Sequence, residues 1–206
     1  MAILVNNRFE MPREILDTLI EPGYSDLECG YRKLDDDGNY LVATYARFPY
    51  CKGEMINWWY SEWLHNEDSY KLWSKDHVSF YWNEDKKPGT TIGATHISSE
   101  YIGDKFIEMA ISFFDPADVY DTSKFAENNI SLVLPQENRN PQGEIINVFI
   151  HVVRDTFFGC EIRNRFWIPN STEQDAKDLI THNQGEMGSL GEFLANLYYR
   201  ENQGDL

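Results

Sequence analysis

His182 and Glu186 stand four residues apart in the segment THNQGEMGSLGEFLANL. On a helix that spacing projects both side chains from one face. At about 100° per residue, Glu186 falls within about 40° of Leu190 and Phe193, on the stripe that also carries Leu197. A carboxylate on an apolar face is costly unless a proton, a cation or a metal compensates it. The pair is therefore either half of a divalent-metal site or a buried His–Glu hydrogen-bonded pair without metal, and spacing alone leaves both open.

A four-coordinate site needs further ligands, and the chain has 5 histidines from which to draw them. His77 opens the strand-like run HVSFYW, where its side chain can aim into the concave face of a sheet. His96 and Glu100 share one face of the next strand by the period of two. His151 lies in the apolar run INVFIHVV, an inward or partly buried position that also suits a core histidine satisfied by a backbone carbonyl. His65, among the acids of EWLHNED, reads as a solvated surface group. Glu108 is a second strand carboxylate, but Ile107, Met109, Ile111 and Phe113 make the other face of its strand apolar. Alternation therefore points Glu108 outward, and Glu100 is the better candidate ligand.

The elements that must position these residues follow from periodicity and turn chemistry. LDDDGNY, with Asp37-Gly38, is a hairpin turn between GYRKL and YLVATYARF. KGEMINWWYSEWLH reads as a helix with Met55, Trp58, Trp59 and Trp63 on or near a core-facing side. From His77 onward, HVSFYWNED, TTIGATHISSEYIG, KFIEMAISFFDP, NNISLVLPQEN, EIINVFIHVVRD and CEIRNRFWIP are six strands in succession, joined by turn-rich pieces. Short links between successive strands imply antiparallel pairing. Thr172 is an N-cap for one long helix to about Arg200, with Glu173 and Asp175 suiting its first turn. The expected architecture is one α+β domain over 1–206: short helices, a curved antiparallel sheet and a long C-terminal helix lying across it. Residues 1–27, with a short helix from Arg13 to Ile20, form a lead-in.

Composition narrows the function classes. The chain has 206 residues, 42% hydrophobic and 15% aromatic, enough apolar surface to require a packed core. Its 34 Asp and Glu against 18 Lys and Arg give a net charge of −16, which repels phosphate backbones and anionic lipid surfaces alike. Neither nucleic acid nor membrane is expected as a partner. No run approaches a membrane span, and the start MAILVNNRFEMPRE carries no signal-peptide pattern. Cys29, Cys51 and Cys160 are odd in number and form no CxxC, so they read as reduced small hydrophobes. A cytoplasmic protein is expected, with a homodimer open as its assembly state.

Five stretches occur in a familiar order: Met55-Ile56-Asn57-Trp58-Trp59-Tyr60, Tyr70 through His77, Glu100-Tyr101-Ile102-Gly103, Gly159 through Trp167, and His182-x-x-x-Glu186-Met187. On these the chain resembles the diacetylphloroglucinol hydrolase family, to which phloretin hydrolase is also similar, from about Tyr24 to Tyr199. The resemblance implies a Bet v1-like (START-type) helix-grip fold, in agreement with the architecture read from the residues. It also implies hydrolytic cleavage of an aryl–acyl carbon–carbon bond in secondary metabolism, with a zinc ion held by His77, Glu100, His182 and Glu186. His151 matches the family's histidine at the substrate's phenolic hydroxyls, and Tyr70 matches one of its tyrosines. Both would act in catalysis, His151 as general acid/base and Tyr70 as hydrogen-bond donor, on a small aromatic substrate. Departures fall on the recognition set: Ser74-Lys75 stand where HP is expected, Phe166 stands where RxRYW has tyrosine, and the N-terminal region and the link from Trp167 to His182 are short. Two other readings keep the fold: a non-catalytic protein binding a hydrophobic ligand in the cavity, and a metal-dependent cyclase or lyase.

Overall fold

The computed structural model describes residues 3–5, 9–11 and 13–202. Strands β1 (Ile3–Val5) and β2 (Phe9–Met11) form a small antiparallel ribbon ahead of helix α1 (Arg13–Ile20). Next come β3 (Gly30–Lys33) and β4 (Tyr40–Pro49), paired antiparallel across the Asp37-Gly38 turn, in which Gly38 takes φ 82°. Helix α2 (Gly53–Trp58) runs into a π turn at Trp59–Trp63, and α3 (Glu67–Trp73) follows. The six strands expected from His77 onward are present: β5 (His77–Trp82), β6 (Thr95–Ile102), β7 (Lys105–Phe113), β8 (Ile130–Arg139), β9 (Ile145–Thr156) and β10 (Gly159–Ile168). Helix α4 (Glu173–Glu201) closes the fold. Its N-cap is Thr172, whose hydroxyl oxygen accepts from the Asp175 amide while the Asp175 carboxylate accepts from the Thr172 amide.

Eight strands build one antiparallel sheet in the order β3-β4-β10-β9-β8-β7-β6-β5. The β5–β10 meander folds back until β10 pairs with β4, and α2 and α3 carry the chain from β4 to the far edge at β5. Gly159 sits where this closure is tightest. Its φ is +150°, and a Cβ there would lie 2.2 Å from the Phe48 carbonyl oxygen. The concave face grips α4: Leu190, Leu194 and Leu197 pack with Met55, Trp59, Phe48 and Ile162. Among the described residues, no helix is long and apolar enough to cross a membrane.

The segment read as a lead-in covers the other side of the sheet. Ile150 and Val152 alternate with Phe149, His151 and Val153 along β9 and so face outward. There they pack with Leu16 and Leu19 of α1 and with Val119 and Tyr120 from the β7–β8 connection. Arg163 and Arg165 point to the same outer face of β10, and they are only 0% and 1% exposed. Glu28 bridges both guanidiniums. Burial alone would raise the Glu28 carboxyl, but hydrogen bonds from Arg163 and Arg165 outweigh it and hold its pKa at about 2. Glu28→Ala strands two buried cations, so urea unfolding should register a loss of about 3–5 kcal/mol. Because the folded pKa lies below the ordinary value of 4.5, this stabilisation is complete above that value and is lost as pH falls through about 2. An unchanged unfolding midpoint in the variant would remove Glu28 as the compensating charge.

Candidate metal centre

Three elements, β5, β6 and α4, bring His77, Glu100, His182 and Glu186 together, with one ligand atom of each lying within 4.8 Å of all the others. His77 at the start of β5 pairs across the sheet edge with Glu100 of β6, next to a register shift between His77 and Ser79. His182 and Glu186 come from one face of α4, as their spacing requires. All four are buried. His77 Nε2 lies 2.9 Å from Glu186 Oε1 and 3.5 Å from Glu100 Oε2, and His182 Nε2 lies 3.5 Å from Glu100 Oε1 and 3.6 Å from Glu186 Oε1. A tetrahedron with ligands at about 2.0–2.1 Å has edges of roughly 3.3–3.4 Å, so these separations suit a small divalent cation.

The hydrogen bonds behind the site support that fit. His77 Nδ1 lies 2.7 Å from the Tyr70 carbonyl oxygen, which can only accept, so Nδ1 carries the proton. A neutral His77 then turns the Nε2 lone pair on the Glu186 carboxylate, two acceptors at 2.9 Å. Only a cation or an added proton between them relieves this contact. A carbonyl behind a ligating imidazole is also the usual support of a metal site. Tyr70 stacks on His77 with centroids 3.6 Å apart, and its hydroxyl donates to Glu100 Oε2. Asn183 Nδ2 donates to Glu186 Oε2 at 3.2 Å, and Trp73 Nε1 donates to the Glu186 backbone oxygen at 3.0 Å. Without a metal, burial would lower the His182 pKa, but Glu186 and Glu100 override it and push the imidazole up to about 11. The same imidazoles hold the Glu186 carboxyl well below the ordinary range against its burial. Metal binding must therefore displace a proton at neutral pH.

Glu100, His182 and Glu186 of the cluster form one wall of a chamber of about 60 Å³ under α4, lined also by Tyr60, His96, Phe149, His151 and Phe166. Ile102, Asn147 and Leu179 line both this chamber and an open groove of about 710 Å³ between the β6–β7 and β8–β9 turns and the start of α4. His151 presents its ring to the chamber, with Nδ1 2.6 Å from Asn164 Oδ1 and the Tyr60 ring stacked at 6.4 Å. Burial lowers the His151 pKa to about 4, so the ring is neutral at pH 7.

The family model of the DAPG hydrolase PhiG domain matches residues 12–176. The chain belongs to that family. Two curated relatives, 2,4-diacetylphloroglucinol hydrolases from a Pseudomonas species and from Pseudomonas protegens, are each 25% identical to it over 170 residues. The match takes in 75% of this chain and 56% and 54% of theirs, so the chain spans about half the length of the curated relatives it matches. Among solved structures, Ara h 8.0201 superposes with a TM-score of 0.53 at 10% identity, covering 77% of this chain and 99% of that one. At that identity the likeness concerns the fold, which is the Bet v1-like helix grip.

In this DAPG hydrolase family member, Glu108 is exposed on β7, which leaves Glu100 as the strand carboxylate of the cluster. His65 is exposed. Tyr70 lines the chamber, but its proton goes to Glu100. Phe166 stacks on Phe149 at 5.2 Å and supplies no hydroxyl. Cys51 and Cys160 are buried as expected, whereas Cys29 is exposed. His96 does share the Glu100 face but stands apart from the ligand cluster among Phe80, Trp82 and Phe113, with both ring nitrogens unpartnered. The Tyr60 hydroxyl is buried and unpartnered as well. Sequence reasoning missed Tyr60 and Asn183 as chamber groups and Asn164 as the partner behind His151. Asn164 was findable, since it alternates with Ile162 and Phe166 on the inner face of RNRFW, and Asn183 adjoins His182.

Proposed function

We propose that the chain is a zinc-dependent hydrolase cleaving the carbon–carbon bond between an acyl group and a phenolic ring. Its relatives are named for 2,4-diacetylphloroglucinol, an acylated phenol. The observation that carries the reading is a cluster of two buried imidazoles and two buried carboxylates bordering a chamber that a separate neutral histidine, His151, also lines. In the net reaction water's hydroxyl joins the acyl carbon, the ring–acyl bond breaks, and the ring carbon takes a proton. The products are a carboxylic acid and the deacylated phenol.

His77, Glu100, His182 and Glu186 would hold the ion. When bound, zinc supplies Lewis acidity, polarising a carbonyl and lowering the pKa of water to about 7. Tyr70 and Asn183 keep Glu100 and Glu186 oriented through the hydrogen bonds described. His151, neutral at pH 7, acts as general acid/base toward the ring hydroxyl and the ring carbon. The stacked Phe149–Phe166 pair offers a flat apolar surface to an aromatic ring. A chamber of about 60 Å³ is below the usual size of a ligand pocket, so admitting the ring beside Phe149, Phe166 and His151 requires the chamber to widen toward the groove.

Elemental analysis of the purified protein should find about one zinc per chain, as expected of one four-ligand N/O site. Turnover of an acylphloroglucinol should vanish on chelation and return with added zinc. A protein that purifies without divalent metal and hydrolyses the substrate equally well after chelation would sink the proposal.

A further inference from the structure

A row of side chains crosses three strands beneath α4. Asn164 of β10 is the direct cross-strand partner of Thr44 on β4 and of His151 on β9. Asn183 of α4 sits over this row. All four are buried, and a chain of hydrogen bonds joins them to Glu186. Asn183 Nδ2 donates to Glu186 Oε2 at 3.2 Å, and Thr44 Oγ1 donates to Asn183 Oδ1. Asn164 Nδ2 donates to Asn183 Oδ1 at 3.0 Å and to Thr44 Oγ1 at 2.9 Å. Asn164 Oδ1 then lies 2.6 Å from His151 Nδ1.

The polarity of this chain is forced from one end. An ionised carboxylate only accepts, so Asn183 must turn its amide nitrogen to Glu186 and its oxygen to the sheet. That oxygen takes protons from Thr44 and Asn164, so Asn164 must turn its own nitrogen toward it. The remaining Asn164 atom facing His151 is an oxygen, and Nδ1 must carry the proton. Reversing any amide would set two acceptors, or two donors, against each other inside the core. Among the described residues, His151 Nε2 has no hydrogen-bond partner, while the ring lines the chamber.

We infer that Asn183 and Asn164 are positioning residues that relay hydrogen-bond polarity from the Glu186 carboxylate across the sheet and lock His151 in its Nδ1–H tautomer, with the Nε2 lone pair toward the chamber. The inference deepens the proposed function, resting on its assignment of Glu186 as an ionised ligand. It narrows the ligand to one that presents a hydrogen-bond donor to Nε2. A free ring hydroxyl meets this requirement, and the corresponding methyl ether does not. A histidine held only by packing would have no fixed tautomer.

The tautomer can be read directly by nitrogen NMR of the full chain with ¹⁵N-labelled histidine at pH 7, without substrate. The wild-type protein should give one His151 signal pair with Nδ1 protonated and Nε2 bare. Asn183→Leu cuts the link to the Glu186 carboxylate and should shift the pair toward a mixture of tautomers. Thr44→Val leaves the direct Asn164–Asn183 bond intact and should keep the wild-type pattern. A wild-type Nε2–H tautomer would overturn the inference, as would an unaltered pattern in folded Asn183→Leu. If that variant does not fold, the wild-type spectrum alone decides. Absence of zinc or of turnover would count against the proposed function and leave the tautomer result standing.

Discussion

Replacing either His182 or Glu186 with alanine is expected to strip the chain of most of its metal, its activity and part of its stability together. The two residues lie one helical turn apart on α4 and supply half of the ligand set, so removing either leaves an incomplete site. Loss of a ligand also leaves the remaining carboxylates and imidazoles buried without the ion that balances them, a condition costing several kcal/mol when unrelieved. The helix has little intrinsic strength to spare. Gly185, Gly188 and Gly191 each weaken it by about 1 kcal/mol relative to Ala, and at Gly185 and Gly188 nothing lies within 4 Å of where a Cβ would be. No close neighbour there compensates for the missing side chains, so α4 relies on its leucine stripe and on the site. A metal present at about 100 times its dissociation constant adds about 2.7 kcal/mol to the native state. Chelation should therefore lower the melting temperature of the wild-type protein and leave that of the metal-free variants unchanged. Acidification should weaken metal binding, because the ion competes with the proton that Glu186 and Glu100 hold on His182. Full metal occupancy in both alanine variants, measured on folded protein, would dismantle the assignment.

Local periodicity made much of this fold legible. Each strand from His77 to Pro169 announces itself by alternation between turn signals, and α4 by its Thr172 cap and leucine stripe. What alternation does not carry is which strand lies beside which. Pairing of β4 with β10 joins residues more than a hundred positions apart, and it aligns Thr44 with Asn164. The outer core was hidden for a similar reason. Leu16 and Leu19 read as a short amphipathic helix, but nothing local says that they cover Ile150 and Val152. Helix α3, EDSYKLW, is too short at 7 residues to show helical periodicity in the sequence. Its start is fixed by the Asn66–Ser69 capping box, and with it the stacking of Tyr70 on His77. At the site, His182 and Glu186 were visible from spacing, whereas His77 joined Glu100 through a family resemblance. The structure supplies the missing cause in the cross-strand register of β5 and β6. Tyr70 shows how a residue can be located correctly while its bond is not foreseen: its hydroxyl serves Glu100.

His151→Ala should separate chemistry from metal binding. The residue lies outside the four-ligand cluster, so the variant is expected to retain its zinc. Its loss removes the neutral imidazole that faces the chamber, and a positioned general acid/base contributes typically about 10²–10⁴-fold. Turnover per zinc-loaded, folded molecule should fall by that factor on an acylated phloroglucinol. The pH profile supplies a second readout. Burial depresses the His151 pKa to about 4, although Asn164 and Glu186 pull against it, so the wild-type base remains competent until pH falls to about that value. An acidic limb caused by His151 would disappear from the residual activity of the variant. A purely structural histidine makes a different forecast. It is buried beside Phe149 and Phe166, and its removal opens a cavity and strands the Asn164 oxygen, lowering stability by about 1–3 kcal/mol while leaving the rate per folded molecule unchanged. Both effects can occur together, which is why the rate must be referred to loaded, folded protein and not to total protein. Wild-type turnover on that basis would return His151 to the core and require another chamber group, Tyr60 or His96, to move the proton.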